Sequence, residues 1–181
     1  RTLPLSNEVI VTASNGVAFF LSDGEDLLSL KCDPDSGGLS IDSVVDLPGN
    51  GLEAMAAFGQ HLYLAGTSLG FWKLNFSGDG TDWKQLPIPK EQFRHPVLAI
   101  QRYEDVPQLF LFGMAVDTGH IAVWRLDKKE TIWEITDSLD SPQGVADGVA
   151  VIPAGYSHIW AAPQGYYEGQ VLYAYHTVTS T

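Results

Sequence analysis

Arginine is scarce in this chain: Arg1, Arg94, Arg102 and Arg125 are all there is. Any site that grips an anion through a guanidinium must use one of these four. Arg94, with His95 beside it and Pro96 next, is the favoured anchor for a ligand carboxylate, which a guanidinium can hold through two parallel N–H···O contacts. A salt bridge to a neighbouring element is the competing role for Arg94. Three further segments, Asp23-Gly24-Glu25-Asp26, Asp117-Thr118-Gly119-His120 and Tyr166-Tyr167-Glu168, fall at corresponding places between short apolar runs. If they converge on one face, Asp23, Glu25, Asp117, His120, Tyr167 and Glu168 supply the carboxylates, imidazole and aromatic surfaces of a small polar-ligand site. Asp-Gly and Thr-Gly are also ordinary turn chemistry, and the sequence leaves both readings open.

Other reactive residue types point away from metals and cofactors. Asp33-Pro34-Asp35-Ser36-Gly37-Gly38 and Ser77-Gly78-Asp79-Gly80-Thr81-Asp82 have the look of calcium loops, but neither has the twelve-residue spacing with a terminal Glu. Both are expected to be hairpin turns. His158 and His176 are expected on adjacent strands, and two ligands without a third make a poor zinc site. Cys32 is the single cysteine, so it forms no internal disulfide and no cysteine-based zinc site. Ser157 and His158 are neighbours along one strand and so face opposite ways. No phosphate-cradling glycine loop precedes a helix. No metal and no cofactor are expected.

Charge narrows the partners. Ten Lys and Arg against 22 Asp and Glu give a formal net charge of −12 over 181 residues. Such a chain repels phosphate backbones and anionic lipid surfaces, which excludes nucleic acid as the first choice of partner. No apolar run reaches the ~18 to 20 residues of a membrane span. An acidic chain without spans or basic targeting runs leans towards an exported, periplasmic or extracellular protein. It begins at Arg1 without Met, and is expected to be processed or a piece of something longer.

The elements that must position these residues are strands. Helical periodicity is nearly absent. Runs of five to eight residues rich in Val, Ile, Leu, Phe and Tyr alternate with Gly, Asp, Asn, Ser and Pro, the pattern of short strands joined by turns. The strands are expected at Val9–Ala13, Gly16–Ser22, Leu27–Cys32 and Ser40–Leu47, then at Leu52–Phe58, His61–Gly66, Gly70–Phe76 and Trp83–Leu86. A third set covers Val97–Tyr103, Gln108–Gly113, His120–Leu126 and Trp133–Thr136, and a fourth Gly148–Pro153, His158–Ala162 and Gln170–His176. The sets superimpose. Leu28, Trp72, Trp124 and Tyr173 are the second residues of the third-strand cores and recur about every 44 to 52 residues, a period of β-propeller blades.

The expected fold is therefore an all-β propeller of about four four-stranded blades in one domain, 1–181. The blades are expected near 6–48, 49–90, 91–141 and 142–181, with 1–5 closing the last. Either four blades close a ring, or the chain is an arc of a larger propeller. Recurrent aromatics (Tyr63, Trp72, Phe110, Trp124, Trp160, Tyr173) are expected to pack between blades.

Pro142-Gln143-Gly144-Val145, the stretch Pro153-Ala154-Gly155-Tyr156-Ser157-His158-Ile159, and Gln170 through Thr179 resemble the last blade of kelch-type propellers of the sialic-acid mutarotase group, most of all its cyclically permuted branch. Trp83-Lys84-Gln85-Leu86-Pro87 is similar to the kelch pattern of a Trp closing a blade ahead of Leu-Pro. The resemblance implies a propeller and possession of an acidic-sugar site, in which a general acid and base flank a ring C–O bond and an Arg holds the substrate carboxylate. The kelch Gly-Gly pair that ends second strands is replaced here by Leu21-Ser22, Gly66-Thr67, Gly113-Met114 and Pro163-Gln164, and no Gly-Gly-Glu occurs. The resemblance thus implies the fold more strongly than the activity. Three functions are expected on this footing: a sugar mutarotase, a module binding a small acidic sugar or a protein partner, or a structural subunit of a larger, membrane-attached assembly.

Overall fold

The computed structural model describes residues 11–16, 18–75, 82–103, 106–139, 148–154, 158–164 and 173–176. Among them every regular element is a strand. The chain forms two compact units, Arg1–Gln85 and Leu86–Thr181. In the first, β1 (Val11–Ser14), β2 (Ala18–Ser22), β3 (Asp26–Cys32) and β4 (Leu39–Asp46) make one antiparallel sheet. A second follows from β5 (Ala54–Phe58), β6 (His61–Gly66), β7 (Gly70–Asn75) and β8 (Asp82–Gln85). The second unit repeats the plan with β9 (Phe93–Tyr103), β10 (Val106–Ala115), β11 (Ile121–Leu126) and β12 (Trp133–Leu139). Its other sheet has β13 (Gly148–Ala154), β14 (His158–Gln164) and β15 (Tyr173–His176). All four sheets are meanders, with strands in sequence order. The expected N-terminal closing strand, 1–5, lies outside the described residues.

Each unit is held by side chains between its two sheets. In the first unit Ala18, Phe20 and Leu27 of one sheet meet Met55, Leu62, Leu64 and Leu74 of the other, with Trp72 and Trp83 against their edge. The register explains the selection. Met55, Leu64 and Trp72 form one cross-strand row, and Ala57, Leu62, Leu74 and Trp83 the next, so one pleat face collects them. In the second unit Ala99, Phe110, Phe112, Met114, Ile121 and Val123 pack on Ile159 and Ala161. The strands that adjoin between sheets are the first of each, β1 beside β5 and β9 beside β13. Of the recurrent aromatics, Phe110 and Trp124 are wholly buried, Trp72 and Tyr63 partly so.

In the first and third sheets the hairpins between third and fourth strands are turns organised by one aspartate each, while residues 76–81, which carry the expected turn of the second sheet, lie outside the described residues. Asp33 Oδ2 accepts the Ser36 hydroxyl at 2.5 Å, and its Oδ1 accepts the Asp35 N–H at 3.0 Å. Asp127 Oδ1 accepts the N–H groups of Thr131 at 2.5 Å and Ile132 at 2.8 Å, while Oδ2 takes the Lys129 N–H at 3.2 Å and the Thr131 hydroxyl at 3.0 Å. These side chains satisfy turn donors that would otherwise need water. Loss of solvent pushes the Asp127 carboxyl up, and the hydrogen bonds from Ile132, Thr131 and Lys129 outweigh it, leaving the pKa below the usual 3.8. The Ser36 hydroxyl, then the Asp35 N–H, lowers Asp33 in the same direction.

A carboxyl whose folded pKa lies below its unfolded value stabilises the fold above the unfolded pKa, about 3.9, and loses that contribution as pH falls through the folded one. Asp127→Ala is expected to lower the melting temperature at pH 7. The gap to the parent chain should narrow steadily in melts run from pH 5 down towards pH 2. A gap that stays constant over that range would contradict the role given to the ionised carboxylate.

Candidate functional site

The first strand of the third sheet carries the favoured anchor, and its geometry is irregular there. Val97 pairs with Phe112 and Arg94 with Met114. Two residues of β9, His95 and Pro96, thus stand opposite the single Gly113 of β10, so β9 bulges there. Pro96 has no N–H for the ladder, and a bulge is where a strand tolerates it. This is why β9 begins at Phe93 rather than at the expected Val97. His95 has φ +52° and lies exposed, as does Arg94. The left-handed region is uncommon for a residue with a Cβ and costs about 1–2 kcal/mol.

The turn after β10 lies against the same end of the sheet. The Val116 N–H donates to the Gln92 carbonyl at 3.0 Å, and Ala115 pairs with Phe93. Within the turn, Gly119 donates to the Ala115 carbonyl at 2.8 Å, Ala115 to the His120 carbonyl at 2.9 Å, and His120 N–H to the Thr118 hydroxyl at 3.2 Å. Arg94, His95, Asp117 and His120 therefore share one end of one sheet, with Asp117 exposed and His120 half-buried. Beneath them Trp124 is anchored, its Nε1–H donating to Glu91 Oε2 at 3.1 Å and its ring 5.9 Å from that of Phe93.

The remaining sequence candidates fall elsewhere. Asp23 and Glu25 belong to the first unit, at the corresponding turn of its first sheet. Asp23 is buried, and its Oδ1 accepts the N–H groups of Glu25 and Asp26, both at 3.0 Å. Ser22 Oγ accepts the Gly24 N–H at 3.0 Å. That carboxylate organises a turn, the second of the two readings the sequence left open. Glu25 is exposed. Tyr167 and Glu168 lie outside the described residues. The backbone register sets His158 directly opposite His176, and no group of three or more His, Cys, Asp or Glu fit to hold a metal occurs among the described residues.

One acidic residue at this type of position escaped the sequence reading. Glu53, ahead of β5, accepts both the N–H of Thr67, at 2.8 Å, and the Thr67 hydroxyl, while its own N–H donates to the Ala65 carbonyl at 2.9 Å. It ties the turn after β6 to the chain that leads into β5, as the Val116–Gln92 bond does in the third sheet. The glycine at the end of β6 makes this crossing feasible: a Cβ on Gly66 would stand 1.8 Å from the Gly51 carbonyl oxygen. Gly66 and Gly113 are what remains of the expected Gly-Gly pairs, and at Gly66 the function is close approach of backbone.

No protein-family model matches the chain, and no curated protein matches it. Among solved structures it is similar to hydrazine synthase of Kuenenia stuttgartiensis, with a TM-score of 0.63 and 11% sequence identity over 97% of this chain and 47% of that one. The likeness is one of fold. This chain spans less than half the length of the chain it matches.

Two substitutions check this geometry by chemical denaturation. His95→Gly should leave stability unchanged or raise it by up to about 1 kcal/mol, whereas a glycine at an ordinary strand position costs roughly 0.5–1 kcal/mol. Gly66→Ala should destabilise by roughly 1–3 kcal/mol, because the new methyl must displace backbone. A loss at position 95, or neutrality at position 66, would contradict the local conformations described above.

Proposed function

We propose that the four sheets are blades of a kelch-like β-propeller and that the chain is a binding module for a small acidic ligand, of the acidic-sugar class, held through Arg94. Support for the propeller comes from the repeated meander, from first strands that adjoin within each unit, and from the fold likeness to a longer solved chain. One observation carries the binding reading. An exposed Arg94 stands next to a His95 held in a left-handed bulge, beside a turn that brings Asp117 and His120 to the same sheet end. Strained backbone at a surface position with no packing role is retained most readily where it aims side chains at a ligand.

The chemistry of such a ligand follows from the groups available. A guanidinium suits a carboxylate, and Asp117 with His120 can accept and donate hydrogen bonds to hydroxyls. Anomer exchange at this site is a second reading, supported by the presence of a carboxylate and an imidazole beside the anchor, the groups that general acid–base transfer requires. A purely structural role is the competing class.

Titration calorimetry with N-acetylneuraminate should give a saturable heat that Arg94→Ala weakens by roughly tenfold or more, the scale of a charged hydrogen-bonded contact. NMR line-shape exchange between the sugar's anomers then separates binding from catalysis. Heat without exchange broadening supports the module; heat with broadening that Asp117→Asn or His120→Gln abolishes supports the mutarotase. Absence of heat for acidic sugars at millimolar concentration would remove both.

A further inference from the structure

The outer strand of the first sheet, β4, has a surface that the acidic-ligand reading does not use. It runs for eight residues, Leu39–Asp46, and hydrogen-bonds to β3 on one side. Among the described residues no strand lies on its other side. Leu39, Ile41 and Val44 are 54%, 45% and 52% exposed. The ladder sets them opposite Cys32, Leu30 and Leu28, and Leu30 in turn stands opposite Phe19, itself 47% exposed. These residues share one face of the sheet, and Val45, on the other face, packs into the unit's core. A register shift between Ser29 and Leu30 keeps Ile41 and Val44 on the same side although they are three apart.

Long apolar edges are templates for a further strand, and proteins blunt them with lysine, proline or brevity. The edge β8 is short, Asp82–Gln85, and carries Lys84. β4 has no lysine or proline and is eight residues long; its charged residues are Asp42 and Asp46, and its one irregularity is the shift at Asp42. Lys31 engages Asp42 at 2.6 Å. Asp46 stands directly opposite Asp26, next to Glu25, and like charges so placed across a ladder repel. At the far end the hairpin adds Asp33 and Asp35. The apolar strip is thus framed by carboxylates at both ends, one pair of them in mutual repulsion.

We propose that β4 is a docking edge for an extended, basic segment of a partner protein. The segment adds a strand to the first sheet, sets apolar side chains beside Leu39, Ile41 and Val44, and brings Lys or Arg to the Asp26–Asp46 pair and to Asp33 and Asp35. Backbone hydrogen bonds and alternate side-chain contacts are the two components of such strand addition. Charge decides against a second copy of this chain as the occupant. Two β4 edges would bring like carboxylates together, on chains that each carry −12.

The test uses the full chain and a fluorescent peptide of about ten residues alternating lysine and valine, a length matched to one strand. Anisotropy should show saturable binding, with hydrogen–deuterium exchange slowed at β4 amides. Ile41→Lys and, separately, Asp46→Lys should each weaken binding at least tenfold; both sites are exposed, and unchanged melting confirms that the variants fold. A glutamate–valine peptide, and a lysine–valine peptide interrupted by proline, should not bind. Absence of binding overturns the proposal. So does binding that survives Ile41→Lys or the proline, which is general charge attraction, and so does self-association of the free chain that Ile41→Lys abolishes, which makes a second copy the occupant.

Discussion

A four-stranded meander that is apolar on both faces is stable only when both faces are covered, and that constraint governs this molecule. The third sheet shows it most plainly. Phe110, Phe112 and Val123 lie on one face and Leu111 and Trp124 on the other, and all five are fully buried. No single sheet of this kind can exclude water by itself. Packing one sheet on the next, as Phe20 and Leu27 do on Leu62 and Leu64, is therefore a condition of folding rather than an addition to it. At about 25 cal/mol per Å² of apolar area, such interfaces dominate the favourable side of folding.

The same constraint explains what could be read from the sequence. Strands buried on both faces appear as continuous apolar runs, and Leu109 to Phe112 is one. Runs of five to eight separated by Gly, Asp and Pro fixed strand positions, and their recurrence at corresponding spacings revealed that each sheet repeats the last. The markers of recurrence, Trp72 and Trp124, are packing residues in the structure. What stayed illegible were single-residue irregularities. The bulge at His95 and the shift near Asp42 each insert one residue into a ladder, and no residue type announces them. The strand expected from Val97 begins instead at Phe93, because the bulge lets it run through Pro96.

Acidic residues were the hardest to read. Asp23, Glu53 and Asp127 look alike in sequence, yet each directs its carboxylate to backbone N–H groups of a neighbouring turn. Asp117 and Glu25, at corresponding turns, stand exposed. The difference depends on whether unsatisfied N–H groups lie within reach of the carboxylate once the turn has formed, which a one-dimensional pattern does not contain.

The turns that follow the second strands show how this division shapes any site the sheets can offer. In the first three sheets they are short, and each is tied down: by Ser22 and Asp23 in the first sheet, by Glu53 in the second, by Thr118 and the Val116–Gln92 bond in the third. A turn with its donors already satisfied has little freedom to close over a ligand. Recognition at these sheet ends must then come from side chains that are fixed in advance, and preorganised groups bind with a smaller loss of conformational entropy than mobile loops do. In the proposed site the bulge would meet that requirement for the backbone of Arg94 and His95, which it sets in advance. The cost is range: a site built on a fixed bulge accepts ligands that match its spacing, and it cannot adapt to larger ones by moving a loop.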